Sequence, residues 1–139
     1  MPRAVDHIRK HPVTASLALA GASVLIPAGA GSAATFITTG ASFGYTQSFS
    51  DSDSSAGSGE LRDTAADDHC AWLEVKWDKG GTPDPTSTHV VCRTGNSAPV
   101  SLNQNSTFHK LKSMTLKLCR IRNGNLSDCQ EQRIDNPNN

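Results

Sequence analysis

The sequence predicts an all-β protein, a small antiparallel β-sandwich that follows an N-terminal export signal. Three features predict it: short segments of alternating apolar and polar residues, two pairs of cysteines that are each centred on a turn, and an apolar segment near the N-terminus. Roughly five to seven alternating segments recur at intervals of about ten residues, without helical periodicity beyond the export signal. This pattern favours a sandwich over a barrel or an α+β fold.

The central element is a predicted β-hairpin. In residues 71–77 one face is apolar and ends with Trp77, whereas the opposite face carries Trp72 and two charged residues. Such alternation is typical of a strand that is buried on one side. Residues 79–87 contain two prolines and two glycines, so neither a strand nor a helix continues through them. A β-branched pattern resumes in residues 88–93.

The cysteine spacing predicts two disulfides. Cys70 and Cys92 are equidistant from the glycine pair of the hairpin turn, and Cys119 and Cys129 are equidistant from Gly124, which belongs to an Asn-Gly turn signal. Cysteines equidistant from a turn lie opposite each other on paired strands, within the separation that a disulfide needs. We therefore expect Cys70–Cys92 and Cys119–Cys129 rather than either of the other two connectivities.

Residues 1–34 are predicted to be a signal peptide. A basic start precedes an uncharged apolar segment, residues 13–26, and Pro27 then precedes a run of small residues suited to signal peptidase. A membrane anchor is the less favoured alternative, because the apolar segment is short and no basic stop follows it. No cysteine lies near the cleavage region, so a lipid anchor is not expected. Cleavage is expected between Ala30 and Thr35.

Cleavage would leave a single domain, residues 35–139, with 10 basic and 12 acidic residues and a net charge of −2. This balance argues against nucleic acid and against an anionic membrane as partners. Four cysteines in an exported domain of this size indicate an oxidising, extracellular environment.

Two polar segments are predicted to be irregular. Residues 50–59 are small, polar and of low complexity, which predicts a mobile loop. The Asp-x-Asp-x-Ser motif in this loop resembles the start of a calcium-binding EF-hand loop, but Ala56 and Arg62 replace the required glycine and bidentate glutamate. A solvated loop is therefore favoured over a calcium site. The Asn-rich tail, residues 130–139, is predicted to fray.

The sequence predicts no enzyme, cofactor or metal site. Gly57-Ser58-Gly59 lies in a low-complexity loop without a base nearby in the sequence, and the four thiols have natural disulfide partners. The adjacent carboxylates of Asp67 and Asp68 would point apart in an extended chain, which is poor geometry for acid/base catalysis. A zinc site formed by His69, His89 and the nearby cysteines is the disfavoured alternative to the Cys70–Cys92 disulfide.

The two tryptophans, Trp72 and Trp77, are the candidate binding residues. Trp72 points away from the apolar face, so it is either an exposed platform or is covered by a loop or by stacking on the neighbouring disulfide. A group of basic residues predicts a solvated sheet face rather than an anion site, since no aromatic residues are interleaved with it. The group comprises His109, Lys110, Lys112, Lys117, Arg120 and Arg122.

A run from Gly59 to Trp77 that contains Asp-Thr-Ala-Ala-Asp-x-x-Cys, together with Val91-Cys92, Leu118-Cys-Arg-Ile and Asp128-Cys129, resembles small secreted proteins of actinobacteria such as Streptomyces. The resemblance covers about residues 43–129. It implies a secreted β-domain with two disulfides and carries no activity or site residues. Subtilisin-inhibitor proteins and enediyne-binding apoproteins fit less well, because the reactive-loop motif of the former and the cysteine spacing of the latter are missing.

These features predict a non-catalytic extracellular domain that binds a protein, a surface or a small molecule. The alternative is a secreted protease inhibitor that uses the loop 80–87, which would require that loop to be exposed and pinned by a disulfide. A small hydrolase ranks third among the hypotheses, because the arrangement of polar residues that such an enzyme requires is missing.

Overall fold

The structure is a computed structural model that describes residues 32–81 and 83–139. Within these ranges the chain is all-β and has no helix, which confirms the predicted fold class. The strands run in this order: β1 Ser32–Thr38, β2 Ala41–Phe49, β3 Ser54–Asp63, β4 Cys70–Lys79, β5 Thr86–Val91, β6 Ser97–Ser101, β7 Gln104–Asn105, β8 Leu111–Arg122 and β9 Asn125–Asp135.

The strands form two antiparallel sheets that pack face to face. The first sheet has the order β1-β2-β3-β6, with the short β7 also paired to β3, and the second has the order β5-β4-β8-β9. Alternate residues of each sheet point between the sheets and are buried, as in the pattern of β4. The largest fully buried apolar side chains are Phe43, Leu61, Leu73, Leu102, Leu111, Met114, Leu116 and Leu118.

Both predicted disulfides are present, Cys70–Cys92 and Cys119–Cys129. The β4–β5 hairpin has the predicted register, in which Ala71 lies opposite Val91. No described cysteine is free.

The second disulfide depends on a β-bulge that the spacing of the cysteines alone did not predict. Asn123 and Gly124 both have positive φ (50° and 78°), as a two-residue hairpin turn requires, so the true centre of the hairpin lies between them. A β-bulge between Leu118 and Arg120 inserts one extra residue into β9. Asp128 there has a φ of 50°. This insertion shifts the register by one residue and brings Cys129 opposite Cys119.

The prediction of a mobile loop over residues 50–59 is wrong for its second part, because β3 already begins at Ser54. The glycines of this segment suit a strand that passes under large side chains. A Cβ atom at Gly59 would collide with the Phe43 ring, so the ring occupies the space that a side chain would fill. Low complexity in this segment therefore reflects close packing rather than an irregular chain.

The predicted fraying of residues 130–139 is also wrong, because β9 extends to Asp135 and Ile134 is buried. Asn136 is buried as well, and its Nδ2 donates to the carbonyl oxygens of Asp51 and Leu111, each at 2.8 Å. Asn138 Nδ2 donates to the carbonyl of Phe49 at 3.3 Å. The asparagines therefore tie the tail to one end of the sandwich.

The predicted signal peptide lies almost entirely outside the described residues. Its last three residues do not, since β1 begins at Ser32 and pairs along its whole length with β2. Cleavage near Ala30 would leave β1 complete, whereas cleavage after Ala34 would remove three of its residues.

Candidate functional site

The outer face of the second sheet carries two adjacent rows of mainly apolar side chains, in which the bulged Asp128 is the polar exception. The register places Val90, Trp72 and Cys119 side by side in the first row. It places Cys70, Ile121 and Leu126 side by side in the second. The disulfides add Cys129 to the first row and Cys92 to the second. We call these eight positions the apolar half: Val90, Trp72, Cys119, Cys129, Cys92, Cys70, Ile121 and Leu126.

The apolar half is accessible at its margins and covered at its centre. Val90 is 51% exposed and Leu126 is 39% exposed, whereas Trp72 and Ile121 are partly buried. Cys119 is completely buried although it lies on the outer face, directly opposite Trp72. Neighbouring side chains therefore cover it.

The two rows that follow along the same strands are polar. One contains Thr88, Glu74, Lys117 and Glu131, and the other contains Thr86, Lys76, Thr115 and Arg133. We call these positions the charged half. Strand spacing and rise give the apolar half an extent of about 250 Å². That is the size of the buried centre of a protein interface rather than of a whole interface of standard size.

Both disulfides fix the apolar half. Cys70–Cys92 joins β5 to β4, and Cys119–Cys129 joins β8 to β9, while β4 and β8 pair in the middle of the sheet. All four strands are therefore linked at this end of the sheet. A surface fixed in this way loses little conformational freedom on binding, which favours affinity.

The two candidate tryptophans lie on opposite faces of β4. Trp72 is on the outer face, as predicted, and belongs to the apolar half. Trp77 is only 5% exposed and belongs to the core, so its prediction as a binding residue is wrong. The reason is the alternation itself, because Trp77 follows Leu73 and Val75 at a spacing of two on the inner face.

The loop between β4 and β5 is held by hydrogen bonds near its base. Asp84 Oδ1 accepts from the backbone N–H of Lys79 at 3.3 Å, and the Pro85 carbonyl accepts from the Trp77 N–H at 2.9 Å. The Cys70–Cys92 disulfide closes the opposite end of the hairpin, about 30 Å away along β4. The inhibitor hypothesis requires a disulfide that pins the loop 80–87, and the Cys70–Cys92 disulfide is too far from that loop to do so.

Asp67, Asp68 and His69 form a group with the geometry to hold a cation, but arginines already neutralise its carboxylates. Arg120 pairs with Asp67, and Arg122 Nη2 lies 2.7 Å from Asp68 Oδ2. Arg120 is only 14% exposed, so it is not part of a solvated basic face. These ion pairs connect the loop before β4 to β8.

In the acidic motif of the loop after β2, the first carboxylate accepts hydrogen bonds from neighbouring residues. Asp51 Oδ1 accepts from Ser54 Oγ at 2.7 Å and from the Asp53 N–H at 3.1 Å. The bond from Ser54 is the main cause that lowers the pKa of Asp51 to about 2, and the hydrogen bond to Asp51 raises the pKa of Asp53. These contacts form a turn that leads into β3.

Other surfaces are less organised than the apolar half. Phe108 is 89% exposed at the loop before β8. A shallow trough of about 580 Å³ lies over Gly44 on the first sheet, lined mainly by Gly, Ala, Ser and Thr. Neither brings together a set of apolar side chains. Sequence reasoning missed Val90, Ile121 and Leu126, because their alignment with Trp72 depends on the order of four strands.

No protein-family model, curated protein or solved structure matches this chain. Within the described residues, no helix is long and apolar enough to cross a membrane. The two disulfides are typical of a protein from an oxidising compartment.

Proposed function

We propose that the protein is a secreted, non-catalytic binding domain that docks on an extracellular macromolecule through the apolar half. The observation that carries the proposal is the pair of adjacent, mainly apolar rows, spanning four strands on the outer side of the sandwich, in which the bulged Asp128 is the polar exception. The outer face of a sheet in a small antiparallel protein is normally polar. An apolar area on it marks an interaction site.

The neighbouring charged half supports this function. Protein interfaces combine an apolar, desolvated centre with a polar rim that remains accessible. Here Glu74 and Lys117 lie directly beside the row of Trp72 and Cys119. The two halves together therefore have the composition of an interface.

The form of the surface favours a macromolecule over a small molecule. Small ligands bind in concave sites that enclose most of their area. The apolar half is instead a stretch of open sheet face, and its side chains provide contact area rather than groups that transfer protons. Trp72 is the expected anchor, because tryptophan dominates the binding energy of many interfaces.

Secretion is supported by the predicted signal peptide and by the two disulfides. Disulfides persist in the oxidising conditions outside the cell. The resemblance to secreted actinobacterial proteins points the same way.

The test uses the exported protein, labelled with a fluorophore, and the cell-envelope and extracellular fractions of the source organism. Val90→Lys places a charge in the apolar half, and Thr88→Lys places the same charge two residues away on the same strand. We expect Val90→Lys and Trp72→Ala each to weaken binding at least about tenfold. Thr88→Lys should change it little, because Thr88 belongs to the charged half, and accessible rim positions contribute little binding energy.

Equal binding by Val90→Lys and Thr88→Lys would contradict the proposal. Circular dichroism and the urea midpoint of each variant control for folding. Inhibition of trypsin or subtilisin by the wild-type protein would instead support the alternative function of the loop 80–87.

A further inference from the structure

β1 is an edge strand whose second side has no strand partner among the described residues. It forms seven consecutive pairs with β2, from Ser32 to Thr38, and stands at the end of the strand order of the first sheet. The backbone N–H and C=O groups on its free side are a template for a further strand. Natural proteins usually protect such edges with charges, prolines, bulges or short strands.

Two of the other three edges, β6 and β9, carry such protection. β6 contains Pro99, which has no N–H to donate. β9 has the bulge near Asp128 and several charged residues, including Glu131 and Arg133. β5 follows Pro85 directly but has no charge or proline within the strand, and its exposed Val90 belongs to the apolar half.

β1 has none of these devices. Its sequence, Ser-Ala-Ala-Thr-Phe-Ile-Thr, contains no charge and no proline, and its pairing with β2 has no register shift. Ile37 on its outer side is 65% exposed. Uncharged edge strands with regular pairing and exposed apolar residues favour pairing with another chain.

We propose that β1 pairs antiparallel with β1 of a second copy of this chain about a two-fold axis at Thr35. The two first sheets would then form one continuous sheet of eight main strands. The partner is a second copy because the edge is self-complementary: no charge opposes an identical strand, and a two-fold axis at Thr35 pairs all seven residues.

The register follows from the axis at Thr35. On the outer face, Ile37 lies opposite Ala33 of the second copy, so its exposed side chain gains a neighbour. Thr35 lies opposite Thr35 of the second copy, and cross-strand threonine pairs are favourable. On the inner face, Phe36 lies opposite Ala34 of the second copy, which extends the buried layer to which both residues already contribute.

The axis gives a specific test, because residue 35 contacts its own copy. Thr35→Lys and Thr35→Glu each place like charges opposite each other, so we expect each variant alone to be monomeric. An equimolar mixture should form a heterodimer, since the charges are then opposite. Sedimentation velocity and light scattering measure these states at concentrations up to about 100 µM, with protein whose chain begins at or before Ser32 so that β1 is complete.

Two matched control variants distinguish the effect of a charge on β1 from the effect of the same charge elsewhere on the surface. Thr46→Lys introduces the same charge on the outer face of β2, one strand away from the edge, and Thr88→Lys introduces it on the edge strand of the other sheet. We expect both to remain dimeric, as the wild-type protein does. Circular dichroism checks that each variant is folded.

A monomeric wild-type protein over the whole concentration range would overturn the proposal. So would a dimer that survives Thr35→Lys, a mixture that fails to restore dimers, or a dimer lost in either control. The apolar half lies on the other sheet, so this inference stands or fails independently of the proposed function.

Discussion

Gly59 tests the packing that places β3 in the sandwich. It lies on the inner face of β3, opposite Tyr45, and the ring of Phe43 occupies the position that its side chain would take. A Cβ atom there would also lie 2.8 Å from the carbonyl oxygen of Gly44. Neither the buried ring nor the backbone can move without disturbing the core. Gly59→Ala should therefore destabilise the fold.

The expected loss follows from overpacking, which costs about 1–3 kcal/mol per added methyl or methylene group in a close-packed core. For a domain of this size, a loss of about 2 kcal/mol lowers the midpoint of thermal unfolding by about 8–16 °C. Urea unfolding followed by the fluorescence of the buried Trp77 measures the free energy directly. The matched control is Gly44→Ala, because no atom lies within 4 Å of a Cβ at Gly44.

Gly44→Ala should leave the free energy of unfolding unchanged or raise it by about 0.5–1 kcal/mol, since glycine in a strand interior is entropically unfavourable. If Gly59→Ala proved as stable as Gly44→Ala, the placement of the Phe43 ring over β3 would be refuted.

Three further predictions concern the turn, a disulfide and a buried tyrosine. Gly124→Ala should cost about 1 kcal/mol in urea unfolding, because the φ of 78° suits only glycine well; no change would argue against the two-residue turn. Replacing Cys119 and Cys129 with serine should cost about 2.8 kcal/mol, from the loop entropy of a separation of 10 residues; a urea midpoint equal to that of the wild type would contradict this. Burial raises the pKa of Tyr45 to about 12. The unfolded chain then ionises first, so stability should fall from about pH 10 towards 12. Tyr45→Phe should reduce that dependence in alkaline unfolding curves, and an unchanged curve would refute the assignment.

The sequence was sufficient for features that depend on neighbouring residues or on symmetry about a turn. The alternation in residues 71–77 places Trp72 and Leu73 on opposite faces without knowledge of any other strand. The spacing of the cysteines about their turns predicts both disulfides. The second pairing nevertheless relies on the bulge near Asp128, which compensates for the shorter turn and left no recognisable signal in the sequence.

The apolar half could not be predicted, because it depends on contacts between distant strands. Trp72 meets Cys119 only because β8 pairs with β4, and Val90 joins them only because β5 pairs on the other side. Local patterns do not specify such an order of strands. Sequence reasoning therefore found Trp72 but not the residues that surround it.

Composition was misleading where small or polar residues have a specific packing role. Gly59 indicated a flexible loop, yet it makes room for Phe43. Asn136 indicated a frayed tail, yet its side-chain amide satisfies two backbone carbonyl groups. In both cases the partner lies far away in the sequence.

The most direct test of the proposed function is photo-crosslinking from within the apolar half. Benzoylphenylalanine replaces Val90 in the exported protein, and a matched protein carries it in place of Thr46, which is exposed on the outer face of the first sheet. After irradiation with the envelope and extracellular fractions, we expect one defined covalent adduct from position 90 and little or none from position 46. Adducts of equal yield from both positions, or none from position 90, would contradict the proposed function.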